Sequence, residues 1–167
     1  MTNAIHIIWP PDRADLPEAS PEALASALTR ERALRWEVLR KPLGRPPGSE
    51  RFDFEDGALH LVAIASETSE VVGCVLFYPD RPTSNGAPES GRLFQMAVRP
   101  DWQRSGLGAR LVTALEATVH EDGIRRVHLH ARCAVEGFYS RLGYSRVGSE
   151  YEEVGIPHVG MEKWLQH

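Results

Sequence analysis

The stretch RPDWQRSGLGARLV (99–112) constrains the fold most strongly. It places Gly106 and Gly108, preceded by Gln103 and Arg104, directly ahead of a helix-patterned run. In that run Leu107, Leu111, Ala114, Leu115, Thr118 and Val119 fall on one face, with Arg110, Glu116, His120 and Glu121 mostly elsewhere. RLFQMAV (92–98) precedes it and reads as a strand ended by Pro100. A helix start leaves its first N–H groups unpaired and carries partial positive charge, so small residues there let a phosphate approach the backbone. Arg104 and Arg110 add charge nearby. Taken alone, the glycine pair reads equally well as an ordinary strand-to-helix turn. It is not a Walker loop, since no Gly-Lys-Ser/Thr follows, and it lacks the third glycine of a dinucleotide fingerprint.

The other segments alternate strand and helix patterns. AIHIIWP (4–10) reads as a first strand. SPEALASALTRERALRWEVLRK (20–41), capped by Ser20 with Pro21 at the first turn, predicts one helix or two broken near Leu28–Arg30. PLGRPPGSERFDFEDG (42–57) is a loop, and ALHLVAIAS (58–66) and EVVGCVLFYP (70–79) form an antiparallel hairpin. DRPTSNGAPESG (80–91) has turn composition, Gly123 ends the second helix, and IRRVHLHA (124–131) is a strand. VEGFYSRLGY (135–144) predicts a short helix, and the remainder predicts two strands around a Gly-Ile-Pro turn. The expected class is α/β (α+β), a mixed and largely antiparallel sheet of about seven strands flanked by helices.

At 167 residues the chain suits a single domain, 1–167, able to bury roughly two-thirds of its unfolded surface. A net charge of −4 spread along the chain offers no basic face, so no nucleic-acid partner is expected. No apolar run reaches the roughly 20 residues of a membrane span, and MTNAIHIIWP lacks a secretory pattern. Cys74 and Cys133 form no Cys-x-x-Cys pair, which fits free thiols in a cytoplasmic protein. His128-x-His130 alternates on one side of its strand, but no third metal ligand is indicated, so no metal is expected.

Gln103-Arg104-Ser105-Gly106-Leu107-Gly108 resembles the pyrophosphate loop of the Gcn5-related N-acetyltransferase (GNAT) family, Gln/Arg-x-x-Gly-x-Gly/Ala after a strand. About thirty residues downstream, FYSRLGY (138–144) is similar to that family's Phe-Tyr-x-x-x-Gly-Phe/Tyr motif. The resemblance covers residues 58 to 165, and GIPHVGMEK further resembles an ElaA/YjcF-like bacterial branch.

The resemblance implies a splayed fourth and fifth strand pair with acetyl-CoA as co-substrate. Met96, Ala97 and Val98 would meet the pantetheine through backbone groups, and Gln103, Arg104, Ser105, Gly106, Leu107 and Gly108 would hold the pyrophosphate. Tyr139 would contact CoA and protonate the departing thiolate. Where many members carry an asparagine, this chain has Arg132 and Cys133; Arg132 is read either as a phosphate or acidic-substrate partner or as a solvated side chain. Cys133 reads as a buried or idle thiol. The candidates for the base are Glu152, Glu153, His158 and His60, and His158, after the Gly-Ile-Pro turn, is expected to face the acceptor as base or hydrogen-bond partner. The implied function is acetyl transfer to a small-molecule or peptide primary amine by direct attack on the thioester, with a homodimer allowed. The alternative is a non-catalytic acyl-CoA-binding regulatory module of the same fold.

Overall fold

The computed structural model describes residues 5–8, 21–65, 67–82 and 86–166. Seven strands hydrogen-bond in the order β1-β2-β3-β4-β5-β7-β6. They are β1 (Ile5–Ile8), β2 (Leu59–Ala65), β3 (Val71–Pro79), β4 (Ser90–Val98), β5 (Arg126–Arg132), β6 (Ser145–Glu153) and β7 (Ile156–Trp164). The helices are α1 (Pro21–Arg35), α2 (Leu107–Glu121) and α3 (Glu136–Arg141). β4 and β5 run parallel, whereas β1–β2, β2–β3, β5–β7 and β6–β7 run antiparallel. The chain divides into two compact units, Met1–Phe77 with Gln95–Leu115, and Tyr78–Phe94 with Glu116–His167.

In the first unit β2 and β3 form the expected hairpin, and β3 is buried continuously from Val71 to Phe77. Such a strand needs cover on both faces. Cys74 joins Leu34, Val62, Val71 and Ala97 in one cluster, with Val38, Leu39 and Ile64 packed against it. The neighbouring Gly73 points the other way, toward α2; a Cβ there would lie 2.9 Å from Leu111 Cδ1 and 3.2 Å from Leu107 Cδ2. Gly73 therefore lets α2 seat Leu107, Leu111 and Leu115, all buried, against the strand.

The first helix is not broken near Leu28–Arg30. α1 runs unbroken to Arg35 and continues as a π turn over Trp36–Arg40 and a 3-10 turn over Lys41–Leu43. Ser20, the expected cap, lies outside the described residues. This helix buries charge as well as apolar surface. Glu31 and Arg35 are fully buried, and the Arg35 guanidinium donates to the Glu55 carboxylate. His60 Nδ1 meets Glu31 at 2.9 Å, and its Nε2 lies 3.3 Å from the Glu55 carbonyl.

In the second unit β7 pairs with β5 through seven registered positions, from Arg126↔Trp164 to Arg132↔His158. Alternation buries Val127, Leu129 and Ala131 and presents Arg126, His128, His130 and Arg132 on the opposite face. The β4–β5 ladder spans Ser90↔Arg126, Gly91↔Val127 and Arg92↔His128; beyond it β5 continues on β7 alone among the registered pairs. β6 and β7 meet through Val154 and Gly155, with φ of 50° and 76°, a pair of left-handed residues that suits a tight hairpin. The turn therefore lies ahead of the Gly-Ile-Pro segment's last two residues. Ile156 and Pro157 belong to β7, and His158 is its third residue rather than a strand-start residue.

Candidate active site

In the first unit β4 ends at Val98 and a 3-10 turn over Pro100–Trp102 follows. Arg99 locks this turn, with Nη1 2.8 Å from Glu70 and Nε 2.6 Å from Asp101. Gln103 Nε2 donates to the Val98 carbonyl at 3.0 Å, and Ser105 Oγ donates to the Trp102 carbonyl at 2.5 Å. Arg104 and Gly106 then take positive φ values of 61° and 83° on either side of Ser105. Alternating backbone hands of this kind turn successive N–H groups toward one concavity, a nest for an anion. The Gly106 carbonyl accepts from Arg110 to open α2. The first amides of a helix have no partner within it, so those at the start of α2 are open to an anion. Gln103 to Gly106 are exposed at the positive end of a fifteen-residue helix. The arrangement can hold a phosphate or pyrophosphate.

Met96 and Val98 are half-buried and Ala97 is buried in the first unit's core cluster. One residue earlier, Gln95 has a φ of 52°, and its Oε1 is buried with no partner among the described residues. The Gln95 carbonyl accepts a weak bond from Cys74 Sγ at 3.6 Å. A left-handed residue inside a strand bends it.

The second unit holds Tyr139, His158 and their neighbours. Tyr139 is buried in α3, ring to edge with Phe138 at 4.9 Å and Tyr144 at 5.7 Å. Its carbonyl accepts from the amides of Leu142 and Tyr144, which ties the helix end to the following strand. Burial pushes the phenol's pKa well above its ordinary value, so it stays protonated at neutral pH. His158 is also buried; Nδ1 donates to the Ile156 carbonyl at 2.7 Å, and Nε2 lies 3.6 Å from Glu153. The tautomer follows from that carbonyl, which can only accept.

Glu153 gathers more than His158. Its carboxylate faces His130 Nδ1 at 3.4 Å and Arg92 Nη2 at 3.9 Å. The Tyr151 ring stacks on His158 at 6.1 Å and meets His130 edge-on at 5.7 Å. Burial and the Arg92 charge pull His130 below the ordinary histidine value, against the opposing pull of Glu153. Of the four expected candidates for a base, Glu153 and His158 come together, whereas Glu152 is exposed on the other side of its strand. His60 is buried in the first unit with both ring nitrogens engaged. Reading the chain alone misses Tyr151, Arg92 and His130 as neighbours of Glu153; only the His-x-His alternation signalled that His130 shares a face with His128. Burial and the nearby carboxylate of Glu150 raise the Cys133 thiol above its ordinary value, which argues against a nucleophile. Among the described residues no three His, Cys, Asp or Glu side chains are placed to hold a metal. No helix there is long and apolar enough to cross a membrane.

A family model for the acetyltransferase (GNAT) domain matches residues 25–165. The chain belongs to the GNAT family. A Bacillus subtilis protein named as an acetyltransferase is 39% identical to this GNAT chain over 74 residues, 44% of the chain and 50% of that protein. The match thus spans about half the length of that relative. Escherichia coli ElaA superposes with a TM-score of 0.69 at 23% identity, covering 96% of this chain and 99% of ElaA. An aminoglycoside 6'-N-acetyltransferase solved with coenzyme A superposes with a TM-score of 0.67 at 18% identity, over 94% and 96% of the two chains. At these identities the likeness is one of GNAT fold.

Proposed function

We propose that this GNAT chain, acting as one domain over 1–167, is an acetyl-CoA-dependent N-acetyltransferase that acylates a primary amine by direct attack on the thioester. The observation that carries the reading is the exposed loop at 103–106, with left-handed Arg104 and Gly106, leading into the start of α2. A pyrophosphate satisfies the amides at that helix end. Gln103, Arg104, Ser105, Gly106, Leu107 and Gly108 form that cradle, and Met96, Ala97 and Val98 meet the pantetheine through their backbone. The coenzyme A bound by the aminoglycoside 6'-N-acetyltransferase of like fold supports an acyl-CoA; acetyl is the acyl group proposed here.

Tyr139 supplies the proton to the departing thiolate. Its buried, protonated phenol suits a donor, and its ring is fixed by Phe138 and Tyr144. His158 serves the acceptor side as a hydrogen-bond partner, since its Nδ1 is committed to Ile156 and its Nε2 is turned toward Glu153. The reaction takes place with a cytoplasmic amine, as a monomer or a homodimer.

Thiol release from acetyl-CoA across a panel of small amines and peptide N-termini tests the reading. Amine-dependent release with acetylated product supports it. CoA binding without release for any amine supports the regulatory acyl-CoA-binding module instead.

A further inference from the structure

Amine attack needs a group that can take a proton at neutral pH, and such a group must be unprotonated, reachable and oriented. Three histidines of the second unit lie near the polar face of β5 and β7, and they differ in reach and in orientation. His128 Nε2 is held by Asp80 at 3.0 Å, and the same carboxylate accepts from Ser90 Oγ. His158 is buried, with Nδ1 donating to the Ile156 carbonyl. His130 is 37% exposed, and its Nδ1 faces the two Glu153 oxygens at 3.4 and 3.5 Å. Among the described residues its Nε2 meets no partner.

A carboxylate accepts only, so Nδ1 carries the proton and Nε2 is left with the lone pair. Glu153 is itself bracketed by Arg92 at 3.9 Å and His158 at 3.6 Å, and the Tyr151 ring bridges His130 and His158. The cluster orients one exposed imidazole.

We infer that His130, oriented by Glu153, is the base that accepts the proton of the attacking amine. The inference rests on the acetyl transfer proposed above and supplies the proton acceptor for it. The amine nitrogen's lone pair forms the C–N bond at the thioester carbonyl, and its N–H proton passes to His130 Nε2. The C–S bond breaks with its electron pair going to sulfur, which takes the Tyr139 proton. Both side chains return to their starting forms by exchange with water. The groups facing His130 are Glu153 and Tyr151 on β6, Arg92 on β4 and His128 on its own strand. Burial and Arg92 hold it neutral at physiological pH, which keeps Nε2 available. Arg92 acts through Glu153 as a positioning residue.

The test compares wild type, His130→Gln and Glu153→Gln over about pH 5 to 10, with acetyl-CoA and an amine that the wild type acetylates. His130→Gln is expected to lower kcat/KM about 10²- to 10⁴-fold at neutral pH. The defect should shrink as pH approaches the amine's own pKa, and added imidazole should restore part of the rate. Calorimetric CoA affinity should match wild type and show that the variant is folded. In Glu153→Gln the acidic limb of kcat/KM should move to lower pH, because the carboxylate charge that raises His130 is gone. An unchanged acidic limb and full kcat/KM in His130→Gln overturn the inference while the transferase reading stands. A loss equal at every pH and without imidazole rescue also overturns it. Absence of acetyl transfer by the wild type to any amine overturns the reading and the inference together.

Discussion

Gln103 Nε2 donates to the Val98 carbonyl at 3.0 Å, so the first residue of the proposed anion-binding loop is tied to the last residue of β4. The bond closes a short ring around the Pro100–Trp102 turn, and Arg99 braces the same turn from Glu70 and Asp101. A hydrogen bond of this kind contributes about 0.5–1.5 kcal/mol. Gln103→Ala should therefore weaken CoA binding by up to about tenfold, with a loss of folding stability no larger than about 1.5 kcal/mol. Titration calorimetry checks it, and an undiminished affinity would show that the loop keeps its shape without the bond.

Tyr139→Phe keeps the ring and its edge contacts with Phe138 and Tyr144 but removes the proton. Turnover should fall about 10²- to 10⁴-fold, the usual effect of losing a general acid, with CoA affinity little changed. Steady-state kinetics beside calorimetry separate the two. Full turnover in the Phe variant would reduce Tyr139 to a packing residue.

The buried pair His60–Glu31 predicts a pH-dependent stability. Burial works against charge on His60, but the hydrogen bond and charge of Glu31 outweigh it and raise the pKa above the ordinary value. A histidine raised in the folded state adds stability in full below its unfolded pKa of about 6.5 and loses it as pH climbs through the folded value. Denaturant unfolding should thus show wild type losing stability as pH rises through that window. Glu31→Gln should flatten the dependence as well as lower stability. An equal slope in both proteins would place the proton elsewhere.

The sequence was most legible where structure is local. The strand, turn and helix around Gln103–Gly108 depend on neighbours within a dozen residues, and they form where glycine, proline and leucine spacing put them. The cluster around Glu153 depends on register instead. Moving the β6–β7 turn to Val154–Gly155 carries His158 into the strand and opposes it to Tyr151 and Arg132. Spacing alone does not reveal which side chains such a pairing brings to Glu153. His60 illustrates the same limit, since Glu31, 29 residues upstream, engages it through tertiary packing.

The most direct test of the cradle uses the ligand's own chemistry. CoA and pantetheine share the thiol arm, but pantetheine lacks the pyrophosphate and the 3′-phosphoadenosine, so the part of their affinity difference that Gly106→Val removes reports the grip of residues 103–108. Gly106 has a φ of 83° and open space where a Cβ would lie, so Gly106→Val strains the backbone without a clash, at a cost of roughly 1–2 kcal/mol. The account predicts that wild type binds CoA far more tightly than pantetheine and that Gly106→Val, still folded by circular dichroism, loses most of that difference. Equal affinities for the two ligands in wild type, or an undiminished preference for CoA in Gly106→Val, would contradict it.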